Sequence, residues 1–136
     1  MNLADVMTQV GARLDTIAGL NVFAFPPDNL HPPAAWIGYP EEYTFDETYG
    51  RGMDRITNLP VIVVVAKVSD RSARDEVGAY VNGAGAKSVK GVLESGAYSA
   101  FHTLRVTGVS FDVLTRGGTD YLAALFTVDI AGQGSA

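Results

Sequence analysis

The sequence contains no cysteine, which excludes disulfides and thiolate metal sites and is compatible with folding in a reducing compartment. Histidine is nearly as scarce. The only two, His31 and His102, have no second His and no acid at metal-ligand spacing, so no metal is expected. Basic charge is also short, with ten Lys and Arg against fifteen Asp and Glu and a formal net charge of −5. A protein that holds DNA by its phosphates needs a basic face, and this chain should repel DNA on average. Long apolar runs are missing too. The strongest, Val61 to Ala66, falls far short of the roughly 20 residues of a membrane span, and the opening Met1-Asn2-Leu3-Ala4-Asp5 lacks the basic and apolar regions of a signal peptide. These absences predict a soluble chain without a membrane partner.

What is present suits one core. A chain of 136 residues, 47% of them hydrophobic, is long enough for a single domain spanning 1–136 and too short for two. Leu3, Val6, Met7, Val10, Leu14 and Ile17 recur at helical spacing, and Gly19 is placed to end the helix. Leu20 to Phe25 reads as a short strand. Pro26-Pro27 and Pro32-Pro33 then make a stiff, extended connection to a second strand, Ala34 to Tyr39, with Trp36 as a core or interface anchor.

Residues 40–58 read as a long loop or the far end of a hairpin. The β-branched run Leu59 to Val68 predicts a central strand buried on both faces, with Pro60 at its start. Ser69 or Asp70 is a plausible N-cap for a helix over Arg71 to Val81. Asn82 to Gly85 breaks that helix, and a second stretch, Ser88 to Glu94, ends at Gly96. Two strands follow, Thr103 to Leu114 with a bulge near Gly108 and Tyr121 to Ile130, joined by a turn over 115–120. The tail 132–136 reads as flexible. This order predicts an α+β fold, a mostly antiparallel sheet with helices packed on one face.

Catalytic signatures are weak. Gly83-Ala84-Gly85-Ala86-Lys87-Ser88 imitates a phosphate loop, but Ala86 stands where the glycine before Lys belongs, and a helix rather than a strand leads in. No G-x-S-x-G elbow is present. The acidic pairs Glu41-Glu42, Asp46-Glu47 and Asp75-Glu76 are neighbours in sequence, which on a strand face opposite ways. No enzyme activity and no cofactor are expected. The distinctive segment is 43–55, where Tyr43, Phe45, Tyr49, Arg51, Met53 and Arg55 have the composition of a protein–protein interface.

The stretches Ile17 to Val22, Pro26-Pro27-Asp28, Pro32 to Ala35, Tyr49 to Arg55, Leu59 to Asp75 and Gly118 to Ala124 together resemble the tail terminator proteins of long-tailed, non-contractile phages (siphophages), most closely those of phages infecting actinobacteria. The resemblance implies a structural subunit that closes into a ring, a hexamer, capping the tail tube at the head–tail junction of the virion after assembly in the host cytoplasm. Such a ring stops tube polymerisation and docks the head. Its partners are further copies of itself, the major tail tube protein and a connector or stopper protein, and DNA passes through its lumen without specific binding. An acidic chain suits such a channel. Two alternatives stay open: another connector or neck protein of the same junction, such as a stopper, and a small ligand-binding domain using the stretch near Gly83 to Ser88.

Overall fold

The order of elements follows from where apolar periodicity changes from helical to alternating. The computed structural model describes residues 1–23, 31–46 and 50–134. Helix α1 spans Leu3–Leu14, and Asn2 caps it by accepting the Asp5 backbone N–H at 3.1 Å. Strands β1 (Asn21–Phe23), β2 (Ala34–Ile37), β3 (Glu42–Thr44) and β4 (Met53–Lys67) come next. Helices α2 (Ala73–Val81) and α3 (Val89–Glu94) precede the hairpin of β5 (Thr103–Arg116) and β6 (Thr119–Gln133).

The sheet runs β1-β2-β4-β6-β5, with β3 paired to β4 beyond the end of β2. Among the described residues only β1 and β2 pair in parallel; every other pairing is antiparallel. The fold is α+β, as the element order predicts.

Each strand face has its own core. On the helix side, Val6, Val10 and Leu14 of α1 and Leu93 of α3 pack over Val61 and Val63 of β4 and Phe126 and Val128 of β6. On the other side, Trp36 is buried with Ala34, Val64 and Ala123, and Ile62 and Leu125 pack around them. Paired residues of antiparallel strands share a face, so Val63 opposite Ala124 and Ile62 opposite Leu125 fix which side each residue serves. Burial on both faces is why β4 reads as an unbroken β-branched run.

Four expectations need correction. Strand β4 begins at Met53, six residues before Leu59, because Asn58 takes a left-handed conformation (φ 52°) and the register shifts between Ile56 and Leu59. That bulge carries the strand across an irregular stretch. Pro60 therefore lies inside the strand. Its carbonyl accepts the Gly38 N–H at 2.9 Å, at the point where the chain leaves β2, so its missing donor falls in the gap between β2 and β3. The N-cap of α2 is Ser72, not Ser69 or Asp70, and its hydroxyl bonds Glu76 at 3.0 Å rather than a backbone amide. Finally, β6 does not fray at Gly132: it continues to Gln133, and the Gly134 N–H reaches the Gly52 carbonyl at 3.2 Å.

The β5–β6 hairpin is longer and tighter than the sequence suggests. Its turn is two residues, Gly117 and Gly118, both left-handed at φ 58° and 78°. Two successive positive φ values define the mirror-image turn that matches strand twist, and glycine adopts them without a Cβ penalty. The bulge expected near Gly108 is present, between Val106 and Gly108.

Candidate functional site

Segment 43–55 is organised around a buried carboxylate. Asp54 is only 5% exposed. Its Oδ1 accepts the Asp46 backbone N–H at 2.9 Å, and its Oδ2 lies 2.8 Å from the Tyr43 phenol and 3.5 Å from the Met1 ammonium. The same ammonium donates to the Gln133 carbonyl at 2.8 Å, and the Tyr43 phenol also lies 2.9 Å from the Met1 carbonyl. The start of α1, the β3–β4 hairpin and the end of β6 are thus tied at one point.

The electrostatics follow from that geometry. The Asp46 N–H beside Asp54 holds its carboxyl below the usual range; burial opposes this, while the Tyr43 hydroxyl and the terminal ammonium add to it. Burial pushes the Tyr43 phenol up to about 12, reinforced by its hydrogen bond to Asp54 and by the charges of Asp54 and Asp46. A charged acceptor that keeps its donor neutral makes a strong hydrogen bond.

The interface residues expected from sequence divide by position. Tyr43 turns inward to Asp54 and packs against the helix-side core. Phe45 projects outward at 72% exposure, with its ring 4.7 Å from that of Tyr43. Arg51 is exposed and held at φ 55°, Met53 is half-buried, and Arg55 is exposed and engaged by other groups. Tyr49 lies outside the described residues. The backbone here is clamped. A Cβ on Gly134 would collide with the Arg51 carbonyl and come within 2.8 Å of the Met53 nitrogen.

A second surface is not apparent from the sequence. Val109, Phe111 and Val113 alternate like core residues and, through their partners Phe126, Ala124 and Leu122, do face the helix side. Yet Phe111 is 55% and Val113 50% exposed. The reason is length. The 14 residues of β5 extend about 48 Å at about 3.4 Å each, whereas α3, the helix that packs on it, has 6 residues and is about 9 Å long. Helix α3 covers the near half of β5, where the Val106 N–H donates to Glu94 at 2.9 Å. Farther along, Val109 and Leu114 still pack against the core, while Phe111 and Val113 stand clear. Strand β5 is also the last in the sheet, so its outer backbone groups have no strand neighbour among the described residues.

The phosphate-loop imitation is structural. The Ser88 side chain is fully buried, accepts the Gly91 N–H at 3.0 Å and donates to the Asn82 carbonyl. The Lys87 ammonium lies 5.8 Å over the Tyr80 ring. His31 and His102 are both exposed, and no cluster of three or more His, Asp or Glu able to hold a metal occurs among the described residues. No helix among them is long and apolar enough to cross a membrane. Neither a family model nor a curated protein matches the chain.

Proposed function

We propose that the chain is a structural subunit of the tail terminator kind, whose copies close into a ring, a hexamer, on the end of a phage tail tube. The observation that carries an assembly role is the outer half of β5. Exposed edge strands are normally blunted by charge, proline or brevity. Between Gly108 and Leu114 this edge carries one charged residue, Asp112, and offers Phe111 and Val113 to solvent. An edge of this length with that composition belongs against another protein.

The ring needs more than one surface, since heterologous contacts join two different patches and a third must meet the tube. Phe45 and Arg51, exposed aromatic and cationic side chains beside the β3–β4 hairpin, suit the major tail tube protein. A connector or stopper protein would meet the opposite rim. The net charge of −5 supports a lumen through which DNA slides without specific binding.

Electron microscopy of the protein mixed separately with tail tubes and with filled heads tests this reading. Rings at one end of the tubes, together with arrested tube growth, are the expected result. Binding to heads with none to tubes would overturn it in favour of a stopper.

A further inference from the structure

The two halves of the β5 edge are finished differently. At the near half, the Val106 N–H is taken by the Glu94 carboxylate at 2.9 Å, and Lys90 holds that carboxylate in place. At the far half, the Val113 N–H turns to the side chain of its own neighbour, Asp112, at 2.8 Å. Val106 and Val113 both face the helix side, and the bulge at Thr107 keeps the two halves in phase. By strand alternation, Val109, Phe111, Val113 and Thr115 therefore turn their main-chain groups to the open edge. The inner neighbour of this half is residues 119–126 of β6, all of them described.

The opposite face of the same segment carries Asp112, Leu114 and Arg116. Their partners Ala123, Tyr121 and Thr119 place all three on the Trp36 side of the sheet. Asp112 and Arg116 are exposed, and neither makes an ion pair among the described residues. Leu114 between them is half-buried.

From this we infer that the free chain forms a two-fold dimer, in which the outer half of β5 pairs antiparallel with the same segment of a second copy. This goes beyond the ring reading and does not rest on it. Antiparallel pairing sets residues of one face opposite residues of the same face, so the side chains select the register. An axis at Asp112 opposes two carboxylates. An axis at Val113 opposes Asp112 to Leu114 and Arg116 to Ser110. An axis at Val109 opposes Asp112 to Arg105, but needs the Val106 N–H that Glu94 already holds. The axis at Leu114 opposes Asp112 of each copy to Arg116 of the other, twice, and brings the two Leu114 side chains together.

In that register Val113 and Thr115 exchange N–H to carbonyl bonds with Thr115 and Val113 of the second copy. The Val113 N–H gains a main-chain acceptor, and the Asp112 carboxylate is released to meet Arg116. A two-fold contact closes at two copies. It covers an edge that otherwise templates aggregation, and it opens before the same edge enters a ring. The paired segment is short against the roughly 800 Å² per partner of a stable interface, so the dimer should dissociate in the roughly 10–100 μM range.

Sedimentation velocity across concentration tests the dimer, with circular dichroism to check that each variant folds. Asp112→Arg and Arg116→Asp each turn both opposed pairs into like charges and should weaken dimerisation about tenfold. Their combination in one chain should restore it. An equimolar mixture of the two single variants should form a heterodimer, because both opposed pairs are then of opposite sign. Arg105→Gln should dimerise like the wild type. Val113→Pro removes an N–H from the open edge and none from the β6 side, and should abolish the dimer in a folded chain.

A wild type that stays monomeric at about 500 μM, well above that range, overturns the dimer. So do charge variants that dimerise unchanged, or a mixture without heterodimer. Loss of the dimer in Arg105→Gln overturns the register. A monomeric wild type that still caps tubes sinks the dimer alone; a dimer that never caps tubes sinks the terminator reading alone.

Discussion

The Tyr43 phenol and the Asp54 carboxylate lie 2.8 Å apart, one donating and the other charged and buried. Their hydrogen bond ties β3 to β4, the contacts of both residues with Met1 join that hairpin to the start of α1, and the two groups titrate at opposite ends of the pH scale. Asp54 has its folded pKa depressed, so its contribution is present above the ordinary carboxylate value near 3.9 and is lost as pH falls through the folded value. Tyr43 has its folded pKa raised to about 12, so its contribution is complete below about 10 and is lost as pH rises through 12. Urea denaturation across pH should show Asp54→Asn softening the acid limb and Tyr43→Phe softening the alkaline one. Glu94 also sits below its ordinary range, its burial outweighed by Lys90 and the Val106 N–H, and should supply acid sensitivity that survives in Asp54→Asn. At pH 7, Tyr43→Phe should cost about 1–2 kcal/mol, because it leaves a buried carboxylate short of a donor.

The β5–β6 turn should tolerate asparagine and reject β-branched residues. Gly117→Asn keeps a residue that accepts the left-handed region and should be close to neutral. Gly118→Val forces a branched side chain to φ 78° and should cost about 1–2 kcal/mol in thermal or urea unfolding.

Ser88→Ala should destabilise by about 1–2 kcal/mol. The hydroxyl caps α3 and also satisfies the Asn82 carbonyl, so its removal strands a donor and an acceptor together. Phosphate or nucleotide should not raise the melting temperature of the wild type, because the hydroxyl and Lys87 are already engaged.

Core and edge substitutions should separate stability from assembly. Leu14→Ala empties a fully buried position between α1 and the sheet and should cost about 2–5 kcal/mol. Phe111→Ser changes a half-exposed side chain and should alter monomer stability by no more than about 0.5 kcal/mol, while ring formation is lost. Equal losses of stability in the two variants would remove the distinction between core and assembly surface.

Phe45→Ser with Arg51→Asn should reduce capping of tail tubes and leave the urea midpoint unchanged within about 0.5 kcal/mol, since both side chains are exposed and asparagine accepts the left-handed backbone of Arg51. A pull-down on assembled tubes measures the loss.

Local physics alone determined much of this protein. The helical stripe of Val6, Val10 and Leu14, the doubly buried run Val61 to Ala66, the break at Asn82 to Gly85 and the alternation Ala124, Phe126, Val128 are one-dimensional patterns, so the α+β class and its central strand are legible in the sequence. What tertiary structure decided depends on distance. Asp54 and the Met1 ammonium are 53 positions apart, and only the return of β6 beside β4 brings Gln133 to join them; no periodicity marks a carboxylate for burial. Phe111 has the same alternating pattern as Phe126, yet one is exposed and the other buried. The difference lies in how far the helices reach along β5, a length set by packing and invisible to any window of sequence.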